Sequence, residues 1–173
     1  NVKIESQLNP NYNFENFLEG DSNRLARSAG LAVAAKPGGT SFNPLLVFGG
    51  VGLGKTHLAS ALGYEACLKG YTVLFATAID VINTLSAAQA AGRMKQELKK
   101  YTRPSLLILD ELGFLPIDKT GADLLFQIIS QRYEHGSIIL TTNKIYKKWA
   151  PIFNNDSTLT SALLDRLLHH TEV

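Results

Sequence analysis

Short apolar runs alternate along the chain with longer segments in which apolar residues recur at helical spacing. Four of the apolar runs have the length of a buried strand and are bounded by glycine, proline or polar residues. These runs predict strands over residues 45–48, 72–76, 106–109 and 137–142. The periodic segments predict helices over residues 23–36, 55–69, 81–90, 94–101, 121–134 and 159–169, and residues 171–173 are read as the start of a fifth strand.

Strands that alternate with helices predict an α/β fold, in which a mainly parallel sheet is covered by helices on both faces in a three-layer α/β/α arrangement. In such sheets, ligands bind beyond the carboxyl ends of the strands. Glycine-rich or polar residues follow three of the predicted strands, at positions 49–56, 110–111 and 143. We therefore expect these three segments to meet at one edge of the sheet.

The first of these segments, residues 49–56, reads GGVGLGKT and matches the phosphate-loop pattern G-x-x-x-x-G-K-[ST] between a predicted strand and a predicted helix. Its backbone amides and the helix N-terminus would bind phosphate oxygens. Lys55 would reach the β- and γ-phosphates, and the Thr56 hydroxyl would bind Mg²⁺. A dinucleotide-binding fingerprint is excluded, because Lys55 stands where its third glycine is needed. The cofactors predicted are ATP or ADP with Mg²⁺, contacted by Gly50, Val51, Gly52, Leu53, Gly54, Lys55, Thr56 and His57.

Two carboxylates directly follow the third apolar run. Asp110 is predicted to be the second Mg²⁺ ligand, and Glu111 the general base that activates the attacking water. Asn143 follows the fourth strand, where its amide would orient that water or contact the γ-phosphate. A guanine-specific N-K-x-D motif is not supported, because position 146 is Tyr.

The composition indicates a single globular domain of 173 residues, with one cysteine, no apolar run long enough to span a membrane and no signal peptide, and it predicts a cytoplasmic protein. The net charge is only +2, but residues 93–103 hold five basic residues and one acidic residue. Such a stretch is typical of sequence-independent DNA binding. The predicted DNA contacts are Arg93, Lys95, Lys99, Lys100 and Arg103. A second basic group, at Lys144, Lys147 and Lys148, lies beside Tyr146 and Trp149, and Trp149 is predicted to be a packing anchor.

At this point the residues resemble a known family, the AAA+ ATPases of the initiator and helicase-loader branch. The segment NPNYNFENF at 9–17, with 23–26 and 43–45, resembles DnaA-type replication initiators. The segments GFLPID at 113–118, ADLLFQ at 122–127, ILTTNK at 139–144 and LDRLLHH at 164–170 resemble IstB-like helpers of insertion-sequence transposition, which are relatives of DnaC-type helicase loaders.

The resemblance implies a Walker A motif at 49–56, a Walker B motif at 110–111 and a sensor 1 residue at Asn143. It also implies that residues 1–20 form a lead-in segment against adenine, with Tyr12, Phe14, Phe17 and Leu18 as candidates. The core would occupy residues 21–173, carry a basic helical insertion at about 79–103 and lack a lid domain. Arg166 matches the arginine that reaches a neighbouring subunit's nucleotide, and His170 stands where initiators and loaders have a second arginine.

The function implied is that of an ATPase that self-assembles on DNA, remodels it and recruits transposase. One alternative within the family is a replication initiator or helicase loader, whose partner would be the replicative helicase. An alternative from another class is a P-loop kinase acting on a small molecule. That kinase would need an acceptor pocket and an arginine-rich lid, and Glu111 suits the activation of water better.

Overall fold

The computed structural model describes residues 6–133 and 135–168. It has four strands and six α-helices among these residues, as the apolar pattern predicts, with bounds that differ by a few residues at the ends. In chain order the elements are α1 (Arg24–Ala35), β1 (Leu45–Phe48), α2 (Lys55–Leu68), β2 (Val73–Thr77), α3 (Ala78–Ala90), α4 (Met94–Thr102), β3 (Leu106–Leu112), α5 (Lys119–Arg132), β4 (Ser137–Thr142), a short 3₁₀-helix (Tyr146–Lys148) and α6 (Ser157–Leu168). The strand expected at 171–173 lies outside the described residues.

The four strands form one sheet in the order β1-β4-β3-β2, and every neighbouring pair is parallel. Successive side chains of a strand point to opposite faces, so a strand between two helical layers must be apolar on both. Strand β3 meets this condition, because Leu106 and Ile108 pack with α1 and α2 while Leu107 and Leu109 pack with α3, α5 and α6. The prediction of a three-layer α/β/α fold is confirmed.

Strand β3 is longer than the apolar run predicts. The sequence indicated a strand that ends at Leu109, before the acidic pair, but β3 continues to Leu112. The register with β4 shifts between Leu109 and Leu112, and Glu111 has a positive φ of 61°. This irregularity lets Asp110 and Glu111 lie within the strand, and the expectation that they follow it is wrong.

The segment before α1 has no helix or strand among its described residues, 6–20. It nevertheless lies against the sheet, since the Phe75 amide donates to the Ser6 carbonyl at 2.9 Å. Leu8 packs with the core cluster beneath α1 and α2. No helix in the described part of the chain is both long and apolar enough to cross a membrane.

The two helices between β2 and β3 form the region where the sequence predicts a basic insertion. Helix α3 is capped by Thr77, whose hydroxyl accepts from the Asp80 amide at 3.2 Å. Helix α4 buries Leu98 and Tyr101 against α3 and α5. Its basic residues therefore occupy the solvent-facing side of an amphipathic helix.

Arg132, the last residue of α5, links the C-terminal end of α4 to the start of β4. Only 2% of it is exposed. Its Nη1 donates to the Pro104 carbonyl at 2.8 Å and its Nη2 to the Ser137 carbonyl at 2.7 Å, with further donation to the carbonyls of Tyr101, Thr102 and Ser105. Desolvation lowers the pKa of Arg132 to about 10. Nothing in the local sequence distinguishes this arginine from an exposed helix-end residue.

Candidate active site

The phosphate-loop segment leaves the carboxyl end of β1 and leads directly into α2. The Gly49 amide donates to the Thr142 carbonyl of β4 at 3.3 Å, which fixes the start of the loop to the sheet. Gly52 and Gly54 have φ values of 79° and 76°, a conformation that other residues adopt only with strain. The N-terminus of α2 has no side-chain cap, so its first amides are directed to the loop interior, where an anion would bind.

Lys55 is the first residue of α2 and folds back over this loop. Its Nζ donates to the Gly49 carbonyl at 2.8 Å and to the Gly50 carbonyl at 2.6 Å. The ammonium group therefore lies inside the curve of the loop. It is within reach of any phosphate that the loop amides bind.

Asp110 and Glu111, near the end of β3 and called here the acidic strand end, lie across from the loop. The Thr56 hydroxyl donates to Asp110 Oδ2 at 2.9 Å, which brings together the two residues predicted to bind Mg²⁺. Asp110 is only 2% exposed. One hydroxyl and one carboxylate are a donor set that suits Mg²⁺, which usually takes few protein ligands and completes its octahedron with water and phosphate oxygens. Among the described residues no larger cluster of His, Cys, Asp and Glu could hold a metal ion.

A threonine that the sequence analysis did not single out links the two carboxylates. The buried Thr141 hydroxyl donates to Asp110 Oδ1 and accepts from the Glu111 amide, the latter at 3.0 Å. Both hydrogen-bonding roles of this hydroxyl are therefore used. The only sequence signal for it was its position, two residues before Asn143 at the end of a strand.

Glu111 and Asn143 are placed differently with respect to solvent. Glu111 is exposed and lines a hollow of about 280 Å³ beside the acidic strand end. Asn143 Oδ1 is buried and has no hydrogen-bond partner among the described residues. A buried acceptor without a partner is costly, so this atom is a position where a ligand or water would be stabilised.

The aromatic residues of the lead-in segment pack around His57, the third residue of α2. Tyr12 stacks on the His57 ring with centroids 5.0 Å apart, and Phe17 contacts it edge-on at 5.3 Å. Phe14 packs edge-on against Phe17 at 5.8 Å. Leu18 is 89% exposed. The cluster thus contains three of the four candidates for the adenine side, together with His57.

Arg166 lies far from the phosphate loop of its own chain. On α6, its Nη1 donates to the Ala162 carbonyl at 3.0 Å and its guanidinium lies 4.7 Å from the centre of the Phe126 ring. It lines a cavity of about 360 Å³ together with Asn43 and Ile138, at the amino ends of β1 and β4. That is the edge of the sheet opposite Asp110. His170 lies outside the described residues.

The predicted DNA contacts form a separate surface. Arg93, Lys95, Lys99, Lys100 and Arg103 are all exposed on α4 or at its ends. Lys100 pairs with Glu97 at 2.8 Å. The basic side chains of α4 are therefore accessible to a ligand from solvent.

Known proteins resemble this chain both in sequence and in fold. The chain is 52% identical over 148 residues to the chromosomal replication initiator protein DnaA of Flavobacterium psychrophilum, covering 83% of this chain and 31% of that protein. It is 46% identical over 127 residues to the insertion sequence IS5376 ATP-binding protein of Geobacillus stearothermophilus, covering 73% of this chain and 50% of that protein. The chain thus spans no more than half the length of either relative.

Solved structures show the same architecture. AMPPCP-bound DnaA from Aquifex aeolicus superposes with a TM-score of 0.81 and 31% identity, covering 91% of this chain and 48% of that one. The DnaC helicase loader superposes with a TM-score of 0.75 and 24% identity, covering 94% of both chains, and this likeness shows the fold. The predicted AAA+ P-loop architecture is confirmed. A model of the family described as IstB-like ATP binding protein matches residues 6–173, and the chain belongs to that family.

Proposed function

We propose that this protein binds ATP with Mg²⁺ at the phosphate loop and hydrolyses it. The observation that carries this proposal is the continuous hydrogen-bonded series from Thr56 through Asp110 and Thr141 to the Glu111 amide. It holds the two proposed Mg²⁺ ligands and the backbone of the proposed general base beside the glycine-rich loop. Hydrolysis needs these three parts in fixed relation, because phosphoryl transfer depends mainly on positioning and electrostatic stabilisation.

Each residue then has a distinct role. The loop from Gly50 to His57 would hold the phosphates, and Lys55 would exchange its carbonyl acceptors for β- and γ-phosphate oxygens. Thr56 and Asp110 would hold Mg²⁺, which neutralises phosphate charge when bound. The exposed Glu111 carboxylate would accept a proton from water, and the Asn143 amide would orient that water.

The base of the nucleotide would lie at the lead-in segment. Tyr12 and Phe17 present their rings beside His57, which is two residues after Lys55. Adenine would stack or pack against this cluster, with Phe14 supporting Phe17 from behind. Leu18 would contribute only by turning inward from its exposed position. We propose residues 1–20 as this adenine-side segment and residues 21–173 as the ATPase core, with a basic insertion at about 79–103.

The cellular role proposed is that of a transposition helper. The relative from Geobacillus stearothermophilus is named as an insertion-sequence ATP-binding protein, and the matching family model is described as IstB-like ATP binding protein. We propose that copies of this protein assemble on DNA through α4, complete each other's sites with Arg166, and recruit a transposase. We expect the protein to act in the cytoplasm.

A second candidate role is that of a replication initiator or helicase loader. It is favoured by the 52% identity to a DnaA protein. The two roles differ in partner, so purified IS21-type transposase and replicative helicase should be compared for binding to the immobilised protein. Selective binding of helicase would replace the transposition role, without changing the proposal of ATP hydrolysis.

The decisive experiment is the ATPase rate per molecule measured against protein concentration, with and without DNA. A site completed by a neighbouring Arg166 gives a rate per molecule that rises with concentration, and DNA should shift the rise to lower concentration. Lys55→Ala is the matched negative control. A wild-type rate no higher than that of Lys55→Ala under every condition would overturn the proposal.

A further inference from the structure

Two adjacent hollows flank the loop that follows β3. The first, about 280 Å³, is lined by Ala78, Ile79, Glu111, Gly113, Phe114, Leu115 and Ile117. The second, about 330 Å³, is lined by Gly113, Phe114, Leu115, Pro116, Lys144, Lys148, Pro151 and Ile152. Gly113, Phe114 and Leu115 belong to both linings, and of these Phe114 and Leu115 carry apolar side chains. These two residues therefore form a ridge between two mainly aliphatic depressions, called here the Phe114 ridge.

The ridge is held in place although its side chains are exposed. Phe114 is 43% and Leu115 59% exposed. The loop is fixed on both sides, since the Ile117 amide donates to the Ile152 carbonyl at 2.9 Å and Asp118 caps α5 by accepting from the Gly121 amide at 2.8 Å. Adjacent exposed apolar side chains on a fixed loop indicate an interaction surface, because exposure is otherwise unfavourable.

The charges around the ridge are unevenly distributed. Lys144 and Lys148 line the second hollow, Lys147 is exposed between them in sequence, and none of the three forms an ion pair with a described residue. Among the residues that the structure describes, no acidic residue lines that second hollow. The one described carboxylate in the two linings is Glu111, in the first hollow. An occupant would therefore be acidic next to the second hollow.

We propose that the Phe114 ridge binds a peptide segment of a partner protein, with two apolar side chains in the two hollows and acidic residues against Lys144 and Lys148. Each hollow is larger than one aliphatic or aromatic side chain, so such a side chain can enter it. Apolar side chains held in a hydrophobic groove are typical of peptide recognition. The acidic residues would fix the orientation of the bound peptide and increase its association rate.

Single-stranded nucleic acid fits this surface less well. Base stacking needs aromatic faces, and Phe114 is the one aromatic residue among the described residues of the two linings. The remaining walls are aliphatic or proline, and the Glu111 carboxylate would repel a phosphate in the first hollow. The surface is also distinct from the basic helix α4, which carries the DNA proposal.

The test uses the full chain without nucleotide, so its outcome does not depend on ATP hydrolysis. The probe is a phage-displayed library of random 16-residue peptides, selected on the wild-type protein and counter-selected on Leu115→Asp. We expect enriched sequences with two apolar residues flanked by Asp or Glu. An enriched peptide should bind about tenfold or more weakly to Leu115→Asp, the loss of one central contact. Leu68→Asp, at another exposed leucine, is the matched control and should bind normally.

A charge exchange tests whether the acidic residues of the peptide lie against Lys148. Lys148→Glu should weaken the enriched peptide, and replacing the peptide's acidic residues with lysine should restore binding to Lys148→Glu but not to wild type. Lys69→Glu is the control at a remote exposed lysine. Circular dichroism and thermal melting confirm that each variant is folded before its affinity is used.

Three results would overturn the proposal. One is a selection that enriches no acidic-apolar sequence dependent on Leu115. Another is binding of an oligothymidylate that is lost in Leu115→Asp, which would assign the ridge to nucleic acid. The third is wild-type self-association that Leu115→Asp abolishes in sedimentation velocity, which would make the occupant a second copy of this chain.

Discussion

At the scale of single residues, one hydroxyl decides how the acidic strand end is arranged. Thr141 donates to Asp110 and accepts from the amide of Glu111, so it connects the residue proposed to bind metal with the residue proposed to activate water. Glu111 has a positive φ of 61°, a conformation that costs about 1–3 kcal/mol for a non-glycine residue. The Thr141 acceptor helps to hold that conformation.

Replacing Thr141 by Val removes both hydrogen bonds of this hydroxyl. The substitution keeps the shape but leaves the Glu111 amide without its acceptor, and we expect unfolding to become easier by about 1–3 kcal/mol. Turnover should fall more than nucleotide affinity, because Glu111 loses its fixed backbone while the loop is unchanged. Thr141→Ser, which keeps the hydroxyl, should recover most of kcat. Equal kcat values for the Val and Ser variants would contradict the bridging role.

Glu111→Gln should remove the proton acceptor without removing the phosphate loop. We expect ATP affinity within a few-fold of wild type and a turnover lower by about 10²–10⁴-fold, the usual contribution of a general base. Affinity is measured with a fluorescent ATP analogue and turnover by phosphate release. Loss of nucleotide binding in a folded Glu111→Gln protein would assign this carboxylate to binding.

At the scale of elements, the sequence predicts those helix and strand bounds that depend on apolar periodicity and on local motifs. Helix α2 begins at Lys55, as the motif requires, and β4 has the predicted bounds. The extension of β3 beyond Leu109 was not predictable, because it depends on a register shift against β4 that a local apolar count does not contain. The roles of Thr141 and Arg132 were also missed, since both depend on partners about thirty residues away in the chain.

The basic face of α4 gives a test of the DNA proposal at this scale. The charges of Lys95 and Lys99 can be removed without affecting packing, because the buried side of the helix consists of Leu98 and Tyr101. Each neutralised phosphate contact should reduce the slope of log K against log salt by about one unit. The measurement is fluorescence anisotropy of a labelled duplex and a labelled single strand for Lys95→Gln and Lys99→Gln.

The matched control for α4 is Lys69→Gln, which changes an exposed lysine at the end of α2 by the same chemistry. It should leave the salt slope unchanged. An equal slope for wild type, both α4 variants and the control would remove the basic helix from the DNA interface. An equal reduction of the salt slope in all three variants would indicate a non-specific effect of net charge.

At the scale of the whole molecule, the two ends of the sheet carry different parts of the proposed chemistry. The phosphate loop, Asp110 and Asn143 lie at the carboxyl edge, whereas Arg166 lies with Asn43 and Ile138 at the amino edge. Arg166 therefore cannot serve its own loop in this arrangement. A neighbouring copy that presents its amino edge to this carboxyl edge would bring the two parts together.

Mixing two inactive variants tests that arrangement. Arg166→Ala keeps the loop and Glu111 but lacks the cation, while Glu111→Gln keeps the cation. If Arg166 acts between copies, each should be inactive alone, since a fixed arginine contributes about 10³–10⁵-fold to such reactions. A mixture should then regain activity, because an Arg166→Ala site can take the arginine of a Glu111→Gln neighbour. The ATPase rate at fixed total concentration should peak at an intermediate ratio, and a rate that stays at the parents' level at every ratio would show that Arg166 does not act across the interface.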